Sequence, residues 1–301
     1  MKMKKLLSVF IAVIITLLCI VPASAAKDVC GKVKCCHEIT DGKSRLVFYP
    51  KELEKSDNAY PVIIWANGTG CLPVLYVKLF GEFVKQGFVV VASSDVMPAD
   101  GKEQIACADY IIEKAKDGQS IFSGRIDCGK IIAMGHSQGG RSTVNAVSAD
   151  KRFCCAVSIA GSNYTYEAEK NSAPTLFIAG TADNIVDSEK WIKPAYNSAK
   201  GSAAYASLKN AGHTACCLFP DEYVKYSVKW IKAWAYGDKE ALNAFLPGGE
   251  LSKDGKWQDF ECKNINGVTS ENYPIDPMFS SPIARIAEFF SRLFEKLSRV
   301  F

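Results

Sequence analysis

Ile131-Ile132-Ala133-Met134-Gly135-His136-Ser137-Gln138-Gly139-Gly140 sets the architecture expected of the whole chain. An apolar, β-branched run enters it, small residues flank a single serine, and a stretch able to form helix (Arg141 to Ser148) leaves it. The pattern is Gly-x-Ser-x-Gly between a strand and a helix. A serine on so tight a turn adopts strained backbone geometry, and only residues without bulky side chains fit two places before and after it. The turn lifts Oγ above the sheet edge and aims the next backbone N–H and the helix N-terminus at one point. Ser137 is therefore the expected nucleophile.

Strand and helix signals alternate on both sides of this turn. Cys30 to Thr40 and Ser44 to Tyr49 read as two strands, a hairpin across Asp41-Gly42. Pro61 to Ala66 and Phe88 to Ala92 are continuous apolar runs, the mark of strands buried on both faces. Helix-period stretches cover Val74 to Gln86 and Lys102 to Lys116. After the elbow, Cys154 to Ala160, Thr175 to Ala179 and Ala204 to Leu208 read as strands. Helical stretches at Ser188 to Ala199, with Pro194 inside, and Asp221 to Tyr236 accompany them. This alternation predicts an α/β fold, a mostly parallel central sheet with helices on both faces. Only about a dozen residues, including Tyr164 and Tyr166, join Ala160 to Thr175. So short a connection leaves no room for a large cap and predicts an open cleft, reachable by bulky or surface-bound substrates, with the two tyrosines as candidates to line it.

A serine nucleophile needs a base within hydrogen-bond reach, and the base needs an orienting acid. The chain has three histidines. His136 adjoins Ser137 on the strained turn, its ring projecting away from the hydroxyl, and His37 lies in the N-terminal strands. His213, directly after a strand and before a helix, remains as the base. The acid should follow a strand between serine and histidine, which selects Asp183, with Asp187 as the alternative. An oxyanion hole needs two N–H donors. The backbone of Gln138 supplies one. Thr69, in the Asn67-Gly68-Thr69-Gly70 loop after the Pro61 to Ala66 strand, supplies the other.

Composition narrows the function further. With 301 residues, 48% of them hydrophobic, the chain can bury the core of one sizeable α/β domain. The formal charge is +4, but Lys2, Lys4 and Lys5 supply three of those charges, so no basic surface is implied and nucleic acid is excluded as a partner. Those lysines lead into an apolar run from Leu6 to Val21, then Pro22 and Ala23-Ser24-Ala25. That order predicts a cleaved signal peptide over residues 1–25 and a secreted product. Twelve cysteines in an exported chain point to disulfides; eleven remain once Cys19 is removed, so one is left over. Cys35-Cys36-His37 lacks the spacing of a metal site, and no metal or other cofactor is expected.

Taken together, Gly135-His136-Ser137-Gln138-Gly139-Gly140, Ala182-Asp183-Asn184-Ile185, Ile192-Lys193-Pro194-Ala195-Tyr196 and Gly212-His213-Thr214 resemble the cutinase-like polyester hydrolases and their lipase and chlorophyllase-like relatives. The likeness runs from about Pro61 to Trp234. The resemblance implies the α/β-hydrolase fold without a large cap, a Ser137–Asp183–His213 triad, an oxyanion hole at Thr69 and Gln138, and cofactor-free hydrolysis of carboxylic esters through an acyl-enzyme. A thioesterase or peptidase on the same triad, or an inactive binding protein, is the alternative. Some polyester hydrolases carry a disulfide joining the neighbourhoods of the acid and the histidine. Here Gly180 stands where one of its cysteines would fall, and Cys216-Cys217 come slightly late. Gly161-Ser162-Asn163 replaces a loop that often carries tryptophan, and Cys262 has no obvious partner for a C-terminal disulfide. These departures bear on polyester activity rather than on hydrolysis.

The catalytic domain is expected over residues 26–262, and residues 263–301 form a linker and a C-terminal amphipathic helix. Ile283, Ile286, Phe290, Leu293, Phe294, Leu297 and Phe301 share one face of that helix. It could dock on its own domain or contact a membrane surface or partner.

Overall fold

The computed structural model describes residues 32–162 and 168–265. The signal segment, Tyr164, Tyr166 and the C-terminal helix lie outside these residues.

The described strands are β1 (Val33–Thr40), β2 (Lys43–Pro50), β3 (Tyr60–Ala66), β4 (Val89–Ser93), β5 (Ile126–His136), β6 (Phe153–Ile159), β7 (Thr175–Gly180), β8 (Ala203–Leu208) and β9 (Trp257–Lys263). They form one sheet in the order β1-β2-β4-β3-β5-β6-β7-β8-β9. From β4 to β8 all neighbours are parallel; β1, β2 and β9 join antiparallel at the two edges. This is an α/β-hydrolase fold. At the β1–β2 turn Asp41 and Gly42 both have positive φ, 52° and 72°, the conformation a two-residue hairpin of this twist requires.

Alternate residues of each central strand enter different cores. Ile63 and Trp65 pack beneath α1 (Val77–Lys85) and α5 (Asp221–Tyr236). Val62 and Ile64 pack against α2 (Lys102–Lys116) and α3 (Gln138–Ala149). A continuous apolar run is what a strand needs when both faces are covered. Two expected helices are more broken than their periodicity suggests. A 3₁₀ turn, Pro73–Tyr76, precedes α1. A π-helical turn, Ser188–Ile192, precedes α4 (Lys193–Ser198), so Pro194 opens a helix, where its missing N–H costs nothing, instead of interrupting one. Strand β9 has no counterpart among the sequence expectations.

The expected disulfides are not seen: none joins any two of the ten described cysteines. Cys107, Cys155 and Cys216 are buried and behave as small apolar core residues. The adjacent Cys216 and Cys217 have their sulfurs 3.9 Å apart, well beyond a bond.

Two neighbouring side chains on α2 hold the sheet to its helices. Gln104 Nε2 lies within hydrogen-bond distance of the carbonyls of Ile64 (3.1 Å) and Met134 (3.0 Å), and its Oε1 accepts from Ser142 on α3 (2.8 Å). One amide thus spans β3, β5 and the helix that follows the elbow. Beside it, Glu103 lies 3.0 Å from the buried Arg45 guanidinium and 2.6 Å from Lys43 Nζ. Removing one partner of a buried pair strands the other charge. Glu103→Ala is expected to cost about 3–5 kcal/mol, read as a lower urea midpoint at unchanged m-value.

Candidate active site

Strand β5 is flush with its neighbours at its C-terminal end, Gly135 opposite Ala66 and His136 opposite Ile159. The chain then reverses into α3 through Ser137, at φ 56° and ψ −121°. For a side chain-bearing residue this is strained backbone, at a cost of order 1–3 kcal/mol. The turn is held by Ser137 N–H donating to the Ile159 carbonyl (2.9 Å), and by the Gly140 and Ser162 amides donating to the Ser137 carbonyl (2.9 and 3.0 Å). The flanking glycines are a matter of space. A Cβ on Gly139 would stand 2.0 Å from the Ala66 carbonyl oxygen, and one on Gly135 would stand 2.3 Å from that of Gly139.

The loop after β3 closes on this turn. Gly68 is so near that an added Cβ would meet Ser137 Cβ at 3.3 Å. Asn67 fixes the loop from behind, donating to the carbonyls of Ser93 (2.8 Å) and Asp95 (3.0 Å). Thr69 is exposed at the loop's tip. Gln138 is the first residue of α3, where the amide has no helical acceptor. Among the described residues neither the Thr69 nor the Gln138 N–H donates to a protein acceptor.

Asp183 and His213 meet across the ends of β7 and β8. His213 Nδ1–H donates to Asp183 Oδ2 at 2.8 Å, while Oδ1 accepts from the amides of Ile185 (2.8 Å) and Val186 (2.9 Å). Burial works against ionising this carboxyl, but the His213 bond and the two amides outweigh it and hold it below the usual carboxylate range. Asp187 is differently engaged: it caps the 188–192 turn through the Glu189 and Lys190 amides and pairs with Lys190. The two loops are also sewn together by backbone. Ala182 N–H donates to the Ala211 carbonyl (3.0 Å), Thr181 N–H to that of Leu208 (3.0 Å), and the Asn210 amide to Thr181 Oγ1 (2.9 Å). A Cβ on Gly180 would strike the Ala211 oxygen at 2.3 Å, so a cysteine does not fit there without a shift. Close backbone approach replaces the cross-link.

His213 also reaches the elbow. Its carbonyl accepts from His136 Nε2–H at 2.7 Å, and the two rings lie 4.7 Å apart. Ser137, Asp183 and His213 thus share one rim of the sheet. Among the hydrogen bonds of the described residues none involves Ser137 Oγ; nucleophile–base contacts commonly tighten only when substrate is bound. His37 stands apart on β1, its Nε2 2.5 Å from Ser44 Oγ, and no metal-holding cluster occurs among the described residues. Exposed apolar residues stand on the same rim. Of the seven exposed large hydrophobic residues described, Val96, Met97, Ile185, Leu218 and Phe219 follow β4, β7 and β8 here. A hollow of about 540 Å³ lies behind the base loop, against Leu208, Gly212, Phe219 and Tyr223, without touching Ser137.

Residues 48–263 match the family model described as PET hydrolase-like. The chain belongs to this family. It is 28% identical over 199 residues to a bis(hydroxyethyl) terephthalate hydrolase of Streptomyces coelicolor, covering 64% of this chain and 62% of that one, just under two thirds of the relative's length. It is 27% identical to cutinase est1 of Thermobifida alba, over 67% of this chain and 68% of the relative. A cutinase of Thermobifida fusca is likewise 27% identical, over 71% and 70%.

Two parts of this PET hydrolase-like site escape sequence reading. Tyr76 sits in an aromatic, helix-period stretch and reads as core, yet its hydroxyl lies 3.1 Å from His136 Nδ1. The close approach of Gly180 to Ala211 joins residues with no pattern between them. His136 itself is buried, and burial, then the neighbouring His213, push its pKa down to about 3. Unfolded, it binds a proton near its ordinary 6.5. Between these values the unfolded chain holds the extra proton, so the stability present above pH 6.5 is lost as pH falls, by roughly 1.4 kcal/mol per pH unit. Asp183, held low, adds loss in the same direction at more acid pH. The thermal midpoint is expected to fall steadily from pH 6.5 to 4 and to fall less in His136→Gln; equal slopes in calorimetry would refute the assignment.

Proposed function

We propose that this chain is a secreted serine hydrolase that cleaves carboxylic esters through an acyl-enzyme. The observation that carries this reading is the His213–Asp183 pair, 2.8 Å apart, on the rim that holds the strained Ser137. Ser137 Oγ attacks the ester carbonyl carbon while His213 Nε2 takes its proton. Asp183 keeps the ring in the Nδ1–H tautomer and stabilises the imidazolium. The amides of Thr69 and Gln138 receive the developing oxyanion. Collapse breaks the carbonyl–alkoxy bond, and His213 passes its proton to the departing alcohol. Water, deprotonated by the same ring, then attacks the acyl-enzyme and releases the acid.

The substrate class rests on two supports. Relatives bear the names cutinase and bis(hydroxyethyl) terephthalate hydrolase. The apolar residues Met97, Ile185 and Phe219 around the rim suit an ester presented on a bulky or apolar surface. The residue 1–25 segment supports export. Among the described residues no helix is long and apolar enough to cross a membrane.

A serine-directed phosphonate is expected to label Ser137 covalently, and Ser137→Ala to lose at least ~10³-fold in turnover of p-nitrophenyl esters. Folded protein that stays unlabelled would favour a binding role instead. Asp183→Asn is expected to lower kcat by about 10²–10⁴-fold, whereas Asp187→Asn leaves it within a few-fold. Comparable losses in the two would remove Asp183 from the triad.

A further inference from the structure

Three segments meet at the site, each holding one reacting group: the loop with Thr69, the turn with Ser137 and the loop with His213. A line of hydrogen bonds runs through all three. Gly68 N–H donates to Tyr76 Oη (2.9 Å), the Tyr76 hydroxyl meets His136 Nδ1 (3.1 Å), and His136 Nε2 meets the His213 carbonyl oxygen (2.7 Å). Both ends have fixed roles, since an amide N–H only donates and a carbonyl only accepts. His136 must therefore carry its proton on Nε2, and Tyr76 must donate to Nδ1. Every donor in the line then has its acceptor.

We infer that Tyr76 and His136 are positioning residues, a relay that sets the oxyanion loop and the base loop at fixed distances from the nucleophile. This rests on the hydrolase reading above. Each end of the relay lies within one residue of a reacting group. Gly68 precedes Thr69, His136 precedes Ser137, and the accepting carbonyl belongs to His213 itself. The middle of the line is shielded: Tyr76 and His136 are both buried, and burial pushes the tyrosine pKa up and the histidine pKa down. Both stay neutral through the working pH range. A neutral neighbour matters, because the His213 ring becomes cationic in each half-reaction and a second charge 4.7 Å away would oppose it. Removing the Tyr76 hydroxyl leaves the Gly68 amide and His136 Nδ1 unpaired, and removing the His136 ring leaves the Tyr76 hydroxyl and the His213 carbonyl unpaired; slack of about 1 Å at a reacting group costs on the order of 10²-fold in rate.

The test uses the full chain, with ester kinetics, phosphonate labelling and thermal midpoints measured on each variant. Tyr76→Phe and His136→Leu are each expected to lower kcat about 10- to 100-fold with KM changed by no more than about twofold. The double variant should be no slower than the slower single one, because both cut the same line. His136→Gln, whose amide can accept from Tyr76 and donate to the His213 carbonyl, should recover most of the loss seen in His136→Leu. Wild-type kcat in folded Tyr76→Phe overturns the relay, as does a glutamine variant no faster than leucine at matched thermal midpoints. If His136→Leu does not fold, Tyr76→Phe, which removes a single oxygen, decides the matter alone. A wild-type chain that is neither labelled at Ser137 nor active overturns the hydrolase reading first, and the relay with it.

Discussion

The site depends on how closely one piece of backbone lies on another. The first turn of α3 rests on the end of β3 with no room for a Cβ between Gly139 and the Ala66 carbonyl. That contact pulls the chain round so sharply that Ser137 has to take up a positive φ. The same contact brings the loop after β3 against the serine. The buried Gln104 amide, reaching β3, β5 and α3 together, keeps the pieces from sliding apart. A local strain of a few kcal/mol at most is thus held in place by packing that the whole sheet supplies.

On the opposite side of the nucleophile the solution is different. The Asp183 loop and the His213 loop follow neighbouring parallel strands, and backbone hydrogen bonds from Thr181 and Ala182 fasten one to the other. No covalent tie is needed where main chains approach this closely, and Gly180 is the residue that permits the approach. Asp183 then needs only two local amides to stay ionised and one ring nitrogen to orient. Of the described cysteines, Cys107, Cys155 and Cys216 are buried and fill space in the core.

Much of this was legible in the sequence, for reasons that differ by residue. Lys102–Lys116 and Asp221–Tyr236 begin and end where their periodicity says, because apolar spacing and helix packing agree there. Ser137 is marked by its glycines, which reflect a steric demand local in sequence. His213 follows from elimination among three histidines, and Asp183 from its place after a strand. What stayed hidden is non-local. Strand β9 is polar and half-exposed along an edge, so it lacks the apolar run that announced the central strands. Tyr76 looks like any buried aromatic until its hydroxyl is seen against His136. The cysteine count suggested cross-links because composition records residue types and not the distances between them.

The base loop is gripped at its main chain: His136 holds the carbonyl of His213 and leaves the imidazole alone. Anchorage of the loop and the proton transfer proposed for it thus fall to different atoms of one residue. Of the two ring nitrogens, Nδ1 is committed to Asp183, and within the described residues Nε2 is spent on nothing. In the proposed mechanism the ring would pick up and release a proton at each half-turnover without loosening the loop that carries it.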